Sequence, residues 1–109
     1  MRVKLFLLLS LLVALPALAQ RTGVRGSVVD AKTGLPVVGA TVMLDEQGIS
    51  VTSGPNGDFS ISDAVAGNDR LLVLSYGYKG WMQDVIISAN VVENVGTIKL
   101  VGIADGSND

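Results

Sequence analysis

The chain has no cysteine and no histidine among its 109 residues. It therefore builds neither a disulfide framework nor the histidine-activated nucleophile of serine and cysteine hydrolases. The common zinc sites are excluded too, because carboxylates alone rarely bind zinc. We expect a protein that is not an enzyme, holds no cofactor and relies on an apolar core for its stability.

Aromatic and basic residues are also scarce. Aromatic side chains make up 5% of the chain, and eight Lys and Arg stand against ten Asp and Glu, for a net charge of −2. Nucleic-acid-binding proteins carry a basic patch or stripe on their surface. The sequence has no such basic excess, so we expect no nucleic-acid partner.

The longest apolar run covers residues 5–15 and is broken only by Ser10; it follows the basic residues Arg2 and Lys4, and Ala17-Leu18-Ala19 comes after it. This order is typical of a secretory signal peptide, and the run is shorter than the roughly 20 residues that span a bilayer. We predict that residues 1–19 are a signal peptide, cleaved between Ala19 and Gln20, and that no transmembrane span remains. All ten acidic residues but only six basic ones follow this site, which gives the remaining part a net charge of −4.

Short runs of alternating apolar and polar residues fill the rest of the chain, separated by turns rich in Gly, Pro, Asn and Asp. We predict seven strands, over residues 24–30, 40–44, 49–53, 59–62, 71–74, 81–87 and 95–101. The predicted loops include residues 63–70 and 89–94, and the strand at 71–74 should be the most buried because it is apolar on both faces. Seven short strands at even spacing without a helix predict an all-β fold, a single small Greek-key β-sandwich.

The first two strands define a register. Side chains alternate between the two faces of a strand, so Val28 and Val42 should point into the core. Ser27 and Thr41 should then point outward. A slip of one residue would exchange these faces.

The same region carries a longer motif, Gly26-x-Val28-x-Asp30 followed by Thr33-Gly34-x-Pro36-Val37-x-Gly39-Ala40-x-Val42, with Gly57-x-Phe59-x-Ile61 and Ser75-Tyr76-Gly77-Tyr78 further on. This pattern resembles the carboxypeptidase regulatory-like domain, a small prealbumin-like β-sandwich. It is similar to the copy at the N-terminus of TonB-dependent outer-membrane receptors of the Sus and Rag type. Two details depart from the family pattern. Ser53-Gly54 stands where the family usually has Thr-Asp, and the Ser75 motif is one residue shorter.

The resemblance implies a domain over residues 20–101, with 102–109 as a flexible tail or the start of a linker. It further implies a non-catalytic periplasmic accessory module of a receptor for nutrient uptake, located in the periplasm or at the outer membrane. The chain would be a truncated N-terminal piece or a free-standing relative. Its partners would be the plug and barrel of the receptor or its assembly partners. The alternative is a self-contained exported module that binds a carbohydrate or a protein.

Three acidic residues in predicted turns are the only candidate metal ligands that we single out. Asp58, Asp63 and Asp69 carry the hard oxygen atoms that calcium prefers. Their spacing matches no EF-hand loop, and turn carboxylates commonly bond their own backbone. We therefore expect no metal, with calcium at these three residues as the alternative.

The aromatic residues Tyr76, Tyr78 and Trp81 lie close together in the sequence and form a candidate ligand surface, since flat rings stack on sugar faces. The alternative is that Tyr78 and Trp81 close one end of the sandwich, each burying apolar area with its polar tip near water. The consecutive residues Gly77 and Tyr78 match the family motif, and this match favours the second interpretation.

Overall fold

The structure is a computed structural model and describes residues 21–103, which form seven β-strands. The strands are β1 Gly23–Asp30, β2 Thr41–Leu44, β3 Ile49–Thr52, β4 Asp58–Ile61, β5 Gly67–Leu74, β6 Trp81–Ile87 and β7 Val92–Leu100. They form a three-stranded sheet in the order β4-β1-β7 and a four-stranded sheet in the order β3-β2-β5-β6. The β1–β7 pair is parallel and the other pairs are antiparallel.

Within residues 21–103 the core lies between the two sheets and consists of aliphatic side chains together with Phe59. Alternation along the strands directs these side chains inward, and their removal from water is the main favourable term for folding. The predicted all-β sandwich of seven strands is confirmed.

The predicted register of the first two strands is confirmed as well. Val28 and Val42 are fully buried, whereas Ser27 and Thr41 are partly exposed on the outer faces. Val42 pairs with Val51 on one side and Val73 on the other, so β2 lies between two apolar neighbours.

The turn before β4 is held against β1 by glycine. Gly57 has a φ of +81°, and its carbonyl accepts a hydrogen bond from the Val28 N–H at 2.9 Å. A Cβ at this position would lie 2.5 Å from the Val28 carbonyl oxygen. Both the dihedral angle and the close backbone approach therefore require glycine here.

The prediction of a loop over residues 63–70 is wrong at its second half. Residues 67–70 belong to β5, where Gly67 pairs with Ile87 and Arg70 pairs with Asp84. Gly, Asn and Asp are typical of turns, but this segment pairs with β6 in an unbroken register, and the Arg70 carbonyl accepts a hydrogen bond from the Asp45 N–H. Tertiary pairing outweighs local propensity at this site.

The last strand also begins earlier than predicted, at Val92 instead of Val95. Its pairing with β1 contains a bulge, since Arg25 pairs with Asn94 while Ser27 pairs with Thr97. The bulge reverses the alternation of side chains partway along the strand. Residues 92–100 therefore do not show the continuous period of two by which a strand is predicted from sequence.

The strand at 71–74 is less buried than predicted. Leu71 and Val73 are fully buried, but Leu72 is partly exposed and the side chain of Leu74 has an exposed fraction of 48%. In the described part of the chain only one face of the four-stranded sheet packs against the other sheet, so the second apolar face of β5 has no layer above it.

The predicted signal peptide, residues 1–19, and most of the predicted tail, residues 104–109, lie outside the described residues. Within residues 21–103 there is no helix with the length and hydrophobicity needed to cross a membrane.

The register can be tested with two neighbouring substitutions. Val42→Asp buries a carboxylate without a partner and should unfold the domain, because a stability of roughly 5 kcal/mol leaves little margin. Thr41→Asp should lower the free energy of unfolding by less than about 1 kcal/mol, as an ordinary surface change does. Urea unfolding of both variants measures the difference. Greater damage from Thr41→Asp would contradict the register.

Candidate functional site

Asp30, the last residue of β1, organises the loop that follows it. Its Oδ1 accepts hydrogen bonds from the backbone N–H groups of Lys32, at 2.8 Å, and Thr33, at 3.0 Å. The Gly34 N–H donates to the Asp30 carbonyl at 2.8 Å and closes the turn. An aspartate that bonds the backbone two and three residues further on is a local turn motif, and this explains why the strand ends here.

The second oxygen of the same carboxylate connects to the other sheet. Asp30 Oδ2 accepts a hydrogen bond from the Tyr78 hydroxyl at 2.8 Å. This bond, followed by those from the backbone of Thr33 and Lys32, lowers the pKa of Asp30. All three favour the charged carboxylate, so Asp30 is held ionised as an acceptor for both its own loop and the β5–β6 loop.

The end of β7 completes this region. The Lys79 N–H donates to the Val101 carbonyl, and the Ile103 N–H donates to the Gly77 carbonyl, both at 2.8 Å. On the other side, the Ala31 N–H donates to the Leu100 carbonyl at 2.8 Å. The loop after β1, the loop between β5 and β6, and the end of β7 therefore meet at one end of the sandwich, which we call the Asp30 end.

The structure places the three aromatic residues in different surroundings. Tyr78 and Trp81 are partly buried and pack against the core cluster. Tyr76 is completely exposed, with a relative accessibility of 102%. The hypothesis that these residues form a ligand surface stays a prediction. Of the three rings, that of Tyr76 is the most accessible to a flat ligand.

The three candidate calcium ligands occupy separate positions. Asp58 begins β4, Asp63 lies in the loop after that strand with a φ of +61°, and Asp69 is in β5 of the other sheet. Within residues 21–103 no group of three acidic, histidine or cysteine side chains is placed to hold a metal ion. The geometry does not bring these three carboxylates together.

Asp69 has a structural task. It is buried, and its Oδ1 accepts hydrogen bonds from the backbone N–H groups of Glu46, at 2.8 Å, and Arg70, at 2.6 Å. It thus ties the β2–β3 turn to β5. Beside it, Arg70 and Asp84 form an exposed ion pair at 3.7 Å, which contributes little because water screens it.

Ser53 is a polar residue whose task the sequence analysis missed. Its buried hydroxyl donates to the Val37 carbonyl at 2.6 Å and accepts from the Ala40 N–H at 2.8 Å. It therefore satisfies two backbone groups of the segment before β2. The signal for it was the departure from the family pattern, because Ser53 stands at the threonine position of the Thr-Asp pair and keeps the hydroxyl.

The polar side chains described above form their hydrogen bonds with backbone groups or with a tyrosine hydroxyl. Asp30, Ser53 and Asp69 each hold a loop or turn to a strand of the sandwich. The two-sheet architecture and these polar contacts define a small all-β sandwich domain. The family model of the carboxypeptidase regulatory-like domain matches residues 23–101. The chain is a member of this family, which comprises regulatory, non-catalytic domains.

A solved structure supports the fold at a greater distance. The chain is similar to a chain of a type II cohesin–X-dockerin complex from Acetivibrio cellulolyticus, crystallised as a C-terminal interface mutant, with a TM-score of 0.56 and 19% identity. The similarity covers 72% of this chain and 56% of that one, so this chain spans little more than half of its neighbour. No curated protein matches the chain.

The Asp30–Tyr78 hydrogen bond makes stability depend on pH. A lowered pKa in the folded state means that the unfolded chain binds more protons, so the contribution is present above the ordinary value of 3.8 and is lost as the pH falls through the folded value. Tyr78→Phe should lower the free energy of unfolding at pH 7, and its difference from wild type should shrink as the pH falls below about 4. Urea unfolding at several pH values measures this.

Tyr76→Phe is the matched control for that experiment, since it removes a tyrosine hydroxyl from the same loop at a fully exposed position. It should unfold like wild type at every pH. A Tyr78→Phe effect that is equally large at pH 2 and pH 7 would show that the contribution of the hydroxyl does not depend on the charge of the Asp30 carboxylate, and would contradict the prediction.

Metal binding can be tested by thermal unfolding. Because the three aspartates are separated, we expect the same Tm with calcium as with a chelator, and no shift with zinc. A ligand at 100 times its Kd would add about 2.7 kcal/mol, which for a domain of this size raises Tm by on the order of 10 °C. Such a rise with calcium, reversed by chelation, would contradict the metal-free interpretation.

Proposed function

We propose that this chain is a non-catalytic accessory domain of an outer-membrane receptor for nutrient uptake, of the Sus and Rag TonB-dependent type, and that it works in the periplasm. Membership in the carboxypeptidase regulatory-like family over residues 23–101 is the observation that carries the proposal. The motifs between Gly26 and Tyr78 resemble the copy of this domain that precedes the plug and barrel of such receptors.

The predicted signal peptide supports export. The apolar run over residues 5–15 and the small residues before Gln20 are what a secretory signal requires. In this proposal the segment directs the chain to the periplasm and is removed there.

The topology supports a position in line with other segments. β1 and β7 are parallel neighbours, so the chain enters the three-stranded sheet at one end and leaves it at the opposite end. In this proposal the domain lies between a preceding and a following segment of the receptor. Because β1 begins at one end of the sandwich and β7 finishes at the other, the chain passes through the domain without reversing its direction.

The alternative function is a self-contained exported module that binds a carbohydrate or a protein. The fully exposed ring of Tyr76 is the observation that favours it. The solved neighbour is part of a protein–protein complex, but at 19% identity that similarity extends to the fold alone.

One experiment addresses export and partner together. A photo-reactive amino acid replaces Tyr76 in the chain expressed in its own cells, which are irradiated and then fractionated. We expect the chain in the periplasmic or outer-membrane fraction, with Gln20 as its N-terminus by mass spectrometry and with cross-links to the plug of an outer-membrane receptor.

The same photo-reactive amino acid at the exposed Glu46, in the turn between β2 and β3, is the control. It tests whether the cross-links are specific to the surface around Tyr76. Cross-links only to an exported glycan or to an unrelated exported protein would favour the alternative function. Recovery of chain that still begins at Met1 from the cytosol would contradict export itself.

A further inference from the structure

Among residues 21–103, the two sheets leave four strands with one open edge each, and three of these edges are protected. β3 and β4 have only four residues each. β7 is interrupted by the bulge opposite Gly26, where Gly96 has a φ of +79°. Short strands and bulges are among the devices by which natural sheets prevent the addition of further strands.

β6 is the exception. It has seven residues, Trp81–Ile87, and pairs with β5 in an unbroken register. It contains neither proline nor a residue with positive φ. A long, regular and largely apolar edge strand is a template for another strand.

The hydrogen bonds identify which groups of β6 face the open side. The Asp45 N–H donates to the Arg70 carbonyl, so the backbone polar groups of Arg70 point toward β2. Backbone groups alternate in direction along a strand, so those of Leu71 point toward β6 and meet Gln83, its register partner. The residues of β6 whose N–H and C=O groups point away from β5 are therefore Met82, Asp84 and Ile86.

The side chains of these same three residues lie on the outer face of the sheet. Met82 has an exposed fraction of 62% and Ile86 of 73%, and the side chain of Asp84 between them has one of 93%. Asp84 forms an exposed ion pair with Arg70, at 3.7 Å. Glu93 of β7 lies in the same groove beside the edge. Along the edge, the exposed side chains are therefore apolar, acidic and apolar in turn, and the carboxylate of Glu93 lies nearby.

We propose that the open edge of β6 binds an extended segment of a partner protein by strand addition. The segment carries a Lys or Arg opposite Asp84 and apolar side chains opposite Met82 and Ile86. Main-chain hydrogen bonds to the three outward-facing residues supply the affinity. The attraction between the basic residue and Asp84 fixes how the segment is aligned along β6. This inference goes beyond the receptor function and does not depend on it.

A second copy of the chain is a poorer occupant of the edge. An antiparallel β6–β6 pair that uses the whole strand is centred on Asp84, because that residue is the midpoint of Trp81–Ile87. It would place Asp84 directly opposite Asp84 of the other copy. Like charges that face each other across two strands are destabilising.

The test uses the purified chain and a blocked peptide probe of the sequence Thr-Val-Thr-Lys-Thr-Val-Thr. This probe is symmetric, so it presents Val, Lys and Val to the edge in either strand direction. We expect that millimolar peptide slows hydrogen exchange at the amides of Met82, Asp84 and Ile86. Replacing the peptide's Lys by Glu should weaken binding by about threefold or more.

Two proline variants localise the effect. Ile86→Pro removes an outward-facing N–H without removing a bond to β5, and should abolish binding while the fold persists. Ser50→Pro is the matched control on the protected edge of β3. The Ser53 N–H donates to the Ala40 carbonyl, which by alternation directs the Ser50 N–H away from β2. This control should bind the peptide like wild type.

Asp84→Lys provides a second test that leaves the backbone unchanged, and should reverse the preference between the Lys and Glu peptides. Absence of protection at the three amides, equal binding by Ile86→Pro, or an unchanged preference in Asp84→Lys would overturn the proposal. A dimer in sedimentation analysis that Ile86→Pro dissociates would also overturn it, since the occupant would then be a second copy.

Discussion

The structure depends on the pairing of its first strand with its last. β1 is the central strand of the three-stranded sheet and has β4 on one side and β7 on the other. Parallel strands need a long crossover connection. In this chain the crossover from β1 to β7 contains the whole second sheet, so the pair joins the two ends of the described domain. Fully buried residues of β1, Val24 and Val28, then face the second sheet across the core.

This pairing also explains a constraint on residue size. At Gly26 a Cβ would lie 2.7 Å from the Gly96 carbonyl oxygen and would contact the ring of Phe59. The bulge of β7 therefore approaches β1 at a position where the strand has no side chain. A larger residue at position 26 would push β7 away from β1 and so disturb the pairing of the first strand with the last.

The polar residues extend this arrangement to the loops. Asp30 ends β1 and bonds Tyr78 from the β5–β6 loop, so one carboxylate links the two sheets. The same loop bonds the end of β7 through Lys79 and Gly77. The Asp30 end is thereby tied to both sheets. The side of β6 carries no comparable connection in the described residues, and there the sheet remains open to a further strand.

Much of the fold could be predicted from the sequence, because it depends on local patterns. Alternation placed Val28 and Val42 in the core, and turn residues such as Gly57 delimited the strands; β6 was predicted at its observed bounds. The motif between Gly26 and Tyr78 indicated the family. What the sequence left undetermined depended on partners distant in the chain. Residues 67–70 form a strand because they pair with β6, which follows later in the chain. The bulge at Gly96 is defined by the pairing of β7 with β1, the strand most distant from it in the sequence.

The candidate site divides in the same way. Tyr78 was expected at one end of the sandwich, since a partly apolar ring with a polar tip suits that place. Its bond to Asp30 was not foreseen, because 48 residues separate them and only the packing of the two sheets brings them together. The separation of the three aspartates and the open edge of β6 were likewise decided by tertiary structure. Sequence patterns determine which face of a strand is apolar, but the order of strands within the sheets determines which side chains meet and which edges remain free.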